Sequence, residues 1–233
     1  MSEDVLTTIR AIKKFGVKVI IKKDLCIVHG LGIDGYKYKK NITINAGNSG
    51  TLGRLISGIL IDTPFPIKII GDKSLSRRDF KRVADPLSKF GASFDLHKNY
   101  NLPLVIQGSK KLKPIRFFEN KGSAQCKSSV LFAGIKTKGK TIIKAKKSRN
   151  HTELIFKHLR LPIKIKKDKN FDLIEIEKVK KINPLNYKIP SDISSGAFFI
   201  ALTVLSKKSQ LIIRNVNVNQ TRIGINAILK KMG

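Results

Sequence analysis

Asn45-Ala-Gly-Asn-Ser-Gly-Thr51 stands directly ahead of an apolar run from Leu52 to Leu60. Small residues at such a place let several backbone N–H groups converge on an anion at the start of a helix, where the helix dipole also favours negative charge. The run is not a Walker loop, because the Gly-Lys-Ser/Thr ending is missing, and it is not a dinucleotide fingerprint. Ser123-Ala-Gln125 and then Asp192-Ile-Ser-Ser195 occupy corresponding places further along the chain. Openings of this kind on repeated elements could gather into one anion-binding cleft.

Cations for such a cleft stand at Arg77 and Arg78, read as the first turn of a helix, and at Arg149, just ahead of another. A cation at a helix N-terminus opposes the dipole, so it serves a ligand better than it serves stability. The planar guanidinium also suits phosphate and carboxylate, which it binds through two parallel hydrogen bonds. The competing reading pairs these arginines with Asp79 or Glu153 on their own helices. His151 reads as a surface or capping residue, and Cys126 as a small apolar side chain.

The elements that must position these groups recur. Ser2 to Gly16, Ser76 to Gly91, Ser148 to Leu159 and Thr221 to Gly233 each open on a hydroxyl residue suited to an N-cap, and most end in a lysine-bearing turn closed by Gly. Their apolar spacing predicts amphipathic helices with one buried stripe: Val5, Ile9 and Ile12; Phe80, Val83, Leu87 and Phe90; Ile225, Ile228 and Met232. Between them lie Asn48 to Asp72, Ser123 to Ala145 and Asp192 to Val216, each a small-residue opening, an apolar helix, a turn and a short β-branched strand. Further strands are expected at Val17 to Ile21, Leu102 to Ile106 and Leu173 to Ile176. The spacing of 75 and then 69 residues between successive openings gives an α/β chain built from units of about 70 residues. Both ends fall in mid-unit, which reads as a piece of a longer protein.

The 233 residues suffice for a real core, and no stretch is apolar enough for a membrane span. Glu3 and Asp4 stand where an export signal would be basic and then apolar. Cys26 and Cys126 have neither zinc-site nor disulfide-framework spacing, so a reducing cytoplasm is expected. The net charge of +31 from 47 basic and 16 acidic residues raises nucleic acid as a partner. No reader motif accompanies it, and Tyr36, Tyr38, Tyr100 and Tyr187 form no stacking ladder with Arg. A solvated Lys-rich surface is the preferred reading.

NAGNSGT, GDKSLSRRDFKRVADPLSKFGA, GSAQCKSSVLFAGI, SRNHTE, IPSDISSGAFF and NQTRIGINAILKKMG follow one another in an order and spacing that resembles the 3-phosphoshikimate 1-carboxyvinyltransferase, or EPSP synthase, family of enolpyruvate transferases. The resemblance runs from Ser2 to Gly233. It implies repeated βαβαββ units about a pseudo-threefold axis, the inverse α/β-barrel type, here truncated at both ends. Residues 1–189 would form most of a first domain, and 190–233 a hinge near Pro190 to Asp192 and the start of a second. The implied reaction moves the enolpyruvyl group of phosphoenolpyruvate to the 5-hydroxyl of shikimate 3-phosphate and releases phosphate, on the way to chorismate and the aromatic amino acids.

Carried over by motif, Gly50 would lie against phosphoenolpyruvate and Arg78 would bind it. Ser123, Ala124 and Gln125 would hold shikimate 3-phosphate, with Gln125 also near phosphoenolpyruvate. Ser148 and Arg149 would contact the shikimate phosphate, and Asn48 would shape the loop. The family's acid and base groups come from an N-terminal Lys-Ser motif and later Asp, Glu and Arg motifs that this sequence lacks, so they are expected outside this chain, which alone should not turn over substrate. No cofactor, metal, nucleic acid or membrane is implied, and the full-length protein is expected to be a monomer. Asp79, Asn150 and Ser191 depart from the family's usual Pro, Asp and Gly. The nearest rival, a UDP-N-acetylglucosamine enolpyruvyl transferase, would lack SRNHTE and carry a reactive loop Cys. A basic nucleic-acid-binding protein is the rival from another class.

Overall fold

The computed structural model describes residues 1–23 and 25–232. Its backbone falls into two units, Met1–Lys147 with His151–Asn183, and Ser148–Asn150 with the chain from Pro184 onward.

The first unit opens with α1 (Glu3–Lys13), β1 (Lys18–Lys22) and β2 (Leu25–His29). It continues with β3 (Thr43–Asn45), α2 (Gly50–Ile59), β4 (Ile67–Ile70), α3 (Lys81–Ser88), β5 (Ser93–His97) and β6 (Asn101–Gln107). The same order then returns as β7 (Arg116–Glu119), α4 (Ala124–Gly134), β8 (Lys140–Lys146), α5 (His151–His158), β9 (Ile163–Lys167) and β10 (Phe171–Glu177). The sheets repeat as well, β3-β4-β6-β5 and β7-β8-β10-β9. In each the first pair is parallel and the others antiparallel, which is the βαβαββ pattern. A helix crosses over between the parallel strands, as a parallel connection requires. The segment α1-β1-β2 is the second half of the same pattern.

Alternation along the strands sends Ile44, Ile67, Ile69, Leu104 and Ile106 into one core, and Ile143, Ala145, Ile174 and Ile176 into another. Each fully buried Ile or Leu contributes about 1.5–3 kcal/mol. The helices α2 and α4 pack directly together. A Cβ on Gly58 would stand 2.1 Å from the Ser129 carbonyl oxygen, so only glycine permits this approach. Ser129 also donates from Oγ to the Arg54 carbonyl at 2.8 Å, tying the two helices.

Several expectations need correction. The spacing predicts hydroxyl caps on the amphipathic helices, yet Ser2 makes no side-chain cap bond, and the residues preceding α3 and the last helix are Phe80 and Ile223. The apolar helices carry the caps instead, at Ser49, Ser123 and Asp192. The helix expected from Ser76 begins only at Lys81. Leu75–Arg77 form a separate 3-10 turn and Arg78 is extended, because Asp72 Oδ1 takes the Leu75 N–H at 2.7 Å and closes a turn there. Arg77 and Arg78 therefore do not sit on a helical first turn. The stripe of α1 holds at Ile9, but Val5 is exposed.

The second unit contains α6 (Ile193–Leu205) and α7 (Gly224–Lys231). The strand expected after α6 is reduced to a single parallel bridge between Ser191 and Val216. Ile228 and Met232, expected in a buried stripe, are exposed, as are Phe198 and Leu202 of α6. The closing cap at Gly233 lies outside the described residues. No helix among the described residues is long and apolar enough to cross a membrane.

Candidate functional site

The site grows from two helix starts in the first unit. Ser49 Oγ accepts from Leu52 N at 3.2 Å and opens α2, and Ser123 Oγ accepts from Cys126 N at 3.3 Å and opens α4. Each cap satisfies one of the N–H groups that a helix start leaves unpaired. The packing of α2 on α4 brings Gly50 and Gln125, distant in sequence, to one place.

Gln125 links the two starts. Its Oε1 accepts from Arg54 Nη1 at 2.6 Å, and its Nε2 donates to Thr51 Oγ1 at 2.8 Å. Gly50 is flanked by guanidinium groups: a Cβ there would stand 3.1 Å from Arg54 Nη1 and 3.3 Å from Arg78 Nη1. Arg78 Nη2 reaches Asn48 Oδ1 at 3.4 Å, and Asn48 Nδ2 donates to Asp72 Oδ2 at 2.7 Å. Asn48 thus passes the hold of an acidic side chain on to Arg78. The Leu75 backbone N–H, and then the Asn48 amide, keep the Asp72 carboxyl below its usual range.

Sequence reading missed Arg54 and Arg82. Arg54 lies inside the apolar run of α2, is buried, and sits over the Phe80 ring at 5.1 Å. Burial, followed by the like charges of Arg82 and Arg78, lowers its pKa. The clue was a lone cation in an apolar helix just after a Gly-rich start. The same pocket of charge includes Asp79, whose Oδ1 accepts from Lys81 N at 2.7 Å and whose carbonyl accepts from Arg54 Nη2 at 3.3 Å. Among the described residues it makes no ion pair with Arg77 or Arg78, so its carboxylate serves the start of α3.

Cys126 is buried, as expected, but it is more than filler. Pro86 lies inside α3 and has no N–H to give the Arg82 carbonyl one turn back. The Cys126 thiol donates to that carbonyl at 2.9 Å. Glu153, set against Arg149 in the sequence reading, pairs instead with Lys127 at 2.5 Å. Its neighbour Thr152 shares a 2.7 Å hydrogen bond with Ser128, so α5 is fastened to α4 twice. Tyr36 stacks on Phe15 with centroids 4.9 Å apart, in a packed cluster and not a ladder.

Of the expected ligand residues, Gly50, Arg78, Ser123, Ala124 and Gln125 share the first unit, while Ser148 and Arg149 belong to the second. There Asn150 Oδ1 accepts from Asn219 Nδ2 at 2.8 Å and Thr221 Oγ1 at 3.2 Å. An aspartate oxygen would accept the same donors, so the asparagine keeps the bonds and drops the charge. Asp192 caps α6 at Ser194 N and receives Arg222 Nη2 on both oxygens, at 3.0 and 3.2 Å. Ser191 enters only through its backbone, which bonds to Asn215 and Asn217 at 2.7 and 2.9 Å.

Comparison with known proteins gives one consistent result. A family model described as EPSP synthase (3-phosphoshikimate 1-carboxyvinyltransferase) matches residues 1–233. A 3-phosphoshikimate 1-carboxyvinyltransferase of Caldicellulosiruptor saccharolyticus is 43% identical over 237 residues, covering 100% of this chain and 53% of that protein. One from Streptococcus agalactiae is 40% identical over 233 residues, covering 99% and 53%. The solved EPSP synthase of Acinetobacter baumannii superposes with a TM-score of 0.86 at 34% identity, over 100% of this chain and 52% of that one. The chain spans about half the length of the curated relatives it matches.

Proposed function

The chain belongs to the EPSP synthase family, and from that premise we propose that it forms the part of a cytoplasmic 3-phosphoshikimate 1-carboxyvinyltransferase that holds shikimate 3-phosphate and phosphoenolpyruvate. In this reading Gly50, Arg78 and Gln125 face phosphoenolpyruvate. Ser123, Ala124 and Gln125 engage shikimate 3-phosphate, and Ser148 and Arg149 take its phosphate. Residues 1–189 make most of one family domain and 190–233 the hinge and start of the next. The two capped helix starts supply N–H groups for anionic oxygens, and the arginines supply charge-assisted, directional hydrogen bonds.

The chemistry asked of the complete enzyme is protonation of the phosphoenolpyruvate methylene to a methyl group, attack by the 5-hydroxyl oxygen on the adjacent carbon with loss of the hydroxyl proton, then removal of a methyl proton as phosphate leaves. These steps need acid and base groups facing both substrates. This chain contributes binding and orientation, and we expect no turnover from it alone. The observation that carries the reading is Gln125 clamped between Arg54 and Thr51 beside Gly50 and Arg78.

Calorimetry on the full chain tests it. Saturable binding of shikimate 3-phosphate is expected, with phosphoenolpyruvate binding better in its presence and no enolpyruvyl transfer. Absence of saturable shikimate 3-phosphate binding, with strongly salt-dependent DNA binding in its place, would replace this reading with the polyanion one.

A further inference from the structure

Arg54 is held more elaborately than stability requires. It is 8% exposed, its Nε is buried without a partner, and it forms no ion pair among the described residues. Burying a guanidinium with no ion-paired carboxylate beside the like charges of Arg82 and Arg78 is costly even with the Asp79 carboxylate acting on it from farther off, and an apolar residue would fill the helix face at less expense. Its contacts show where it is aimed. Its Cζ lies over the Phe80 ring, Nη2 is fixed by the Asp79 carbonyl, and Nη1 meets Gln125 Oε1 at 2.6 Å.

A guanidinium has donors only. It therefore decides which end of the Gln125 carboxamide faces it: the oxygen, never the nitrogen. The nitrogen is turned to Thr51 Oγ1 at 2.8 Å, and one of its two hydrogens remains outside that bond. Thr51 and Arg54 are three residues apart on α2, so one rigid helix carries both jaws of the clamp while Gln125 stands on the first turn of α4.

We infer that Arg54 is the positioning residue of the site, fixing the Gln125 carboxamide with Oε1 inward and an Nε2 hydrogen presented beside Gly50 and Arg78 for an anionic ligand oxygen. The ligand half of this inference rests on the proposed function. The positioning half does not.

Nitrogen-15 NMR on the full chain reads the positioning directly, with the Gln125 side-chain amide assigned by its loss in Gln125→Ala. In the wild type that amide should be as rigid as the backbone of α4, and in Arg54→Lys it should become mobile, since a lysine ammonium cannot hold both Gln125 and the Asp79 carbonyl in a planar fork. A mobile Gln125 amide in the folded wild type overturns the inference with no variant needed. Calorimetry with shikimate 3-phosphate then closes a double-mutant cycle. Arg54→Lys and Gln125→Ala should each weaken binding about tenfold, and the double variant no more than either alone. Loss by the product of the two overturns the inference, because Arg54 would then act independently of Gln125. An unchanged thermal midpoint for Arg54→Lys checks its fold. If the wild type fails to bind the ligand, the proposed function falls while the NMR result still decides the positioning.

Discussion

Lys127 Nζ stands 2.5 Å from Glu153 Oε1 with both side chains closed off from water, at 0% and 3% exposure. The pair joins the first turn of α4 to the first turn of α5. Removing one partner strands the other as a buried charge, which costs about 3–5 kcal/mol, whereas replacing both by apolar groups is often neutral. Lys127→Met should therefore destabilise the first unit by that amount in urea unfolding. Lys127→Met with Glu153→Leu should recover most of it. A double variant no more stable than the single one would mean that the pair is not the source of the cost.

Gly50→Ala tests the crowding at the start of α2. The added Cβ meets two guanidinium nitrogens, at 3.1 and 3.3 Å, and one or both must move. We expect phosphoenolpyruvate to bind about tenfold more weakly while folding stability changes by less than about 1 kcal/mol, since alanine is a good helix residue. Calorimetry and thermal melting check both halves. Unaltered phosphoenolpyruvate affinity would place that ligand away from Gly50.

The two thiols should differ in reactivity. Burial, followed by the Glu119 charge, pushes the Cys126 thiol up to about 12, so it stays protonated at pH 8, and the thiolate is the reactive form. Cys26 is exposed. Iodoacetamide at pH 8 should modify Cys26 alone in the folded chain and both residues in urea, as read by peptide mass spectrometry. Rapid labelling of Cys126 in the folded chain would contradict its buried, hydrogen-bonded setting.

Acid should loosen the Arg78 anchor in a predictable direction. The folded Asp72 carboxyl is held below its unfolded value by the Leu75 N–H and the Asn48 amide. Its contribution to stability is therefore present above about pH 4 and is lost as pH falls through the depressed folded pKa. Carbon-13 NMR of the Asp72 carboxyl should show a midpoint below that of a free aspartate. Asp72→Asn should leave the 72–75 turn weaker at neutral pH. A midpoint at or above the free value would remove this support.

Much of the fold was legible because periodicity and punctuation are local. The 70-residue unit, the apolar helices α2 and α4, and the strands β1, β6 and β10 follow from spacing alone. The stripe Phe80, Val83, Leu87 and Phe90 is buried as its pattern indicates. The short strands β3 and β7 were not legible, since three or four residues carry too little alternation to distinguish from a loop. The start of α3 was misplaced because the Asp72 turn, a side-chain-to-backbone contact, competes with helix there. The resemblance could name Gly50, Arg78 and Gln125 as expected ligand residues. The clamp that unites them could not, because Arg54 and Gln125 are 71 residues apart and their meeting depends on the close crossing of two helices.

The bond between the Cys126 thiol and the Arg82 carbonyl makes residues 86 and 126 epistatic. A lineage that replaces Pro86 first regains a backbone N–H for that carbonyl and frees position 126 to drift among small apolar residues. A lineage that replaces Cys126 first, by alanine or valine, removes the thiol donor from that carbonyl and must cross a valley of about 1–3 kcal/mol before Pro86 changes. The order of substitutions is thus constrained by a single side-chain-to-backbone contact.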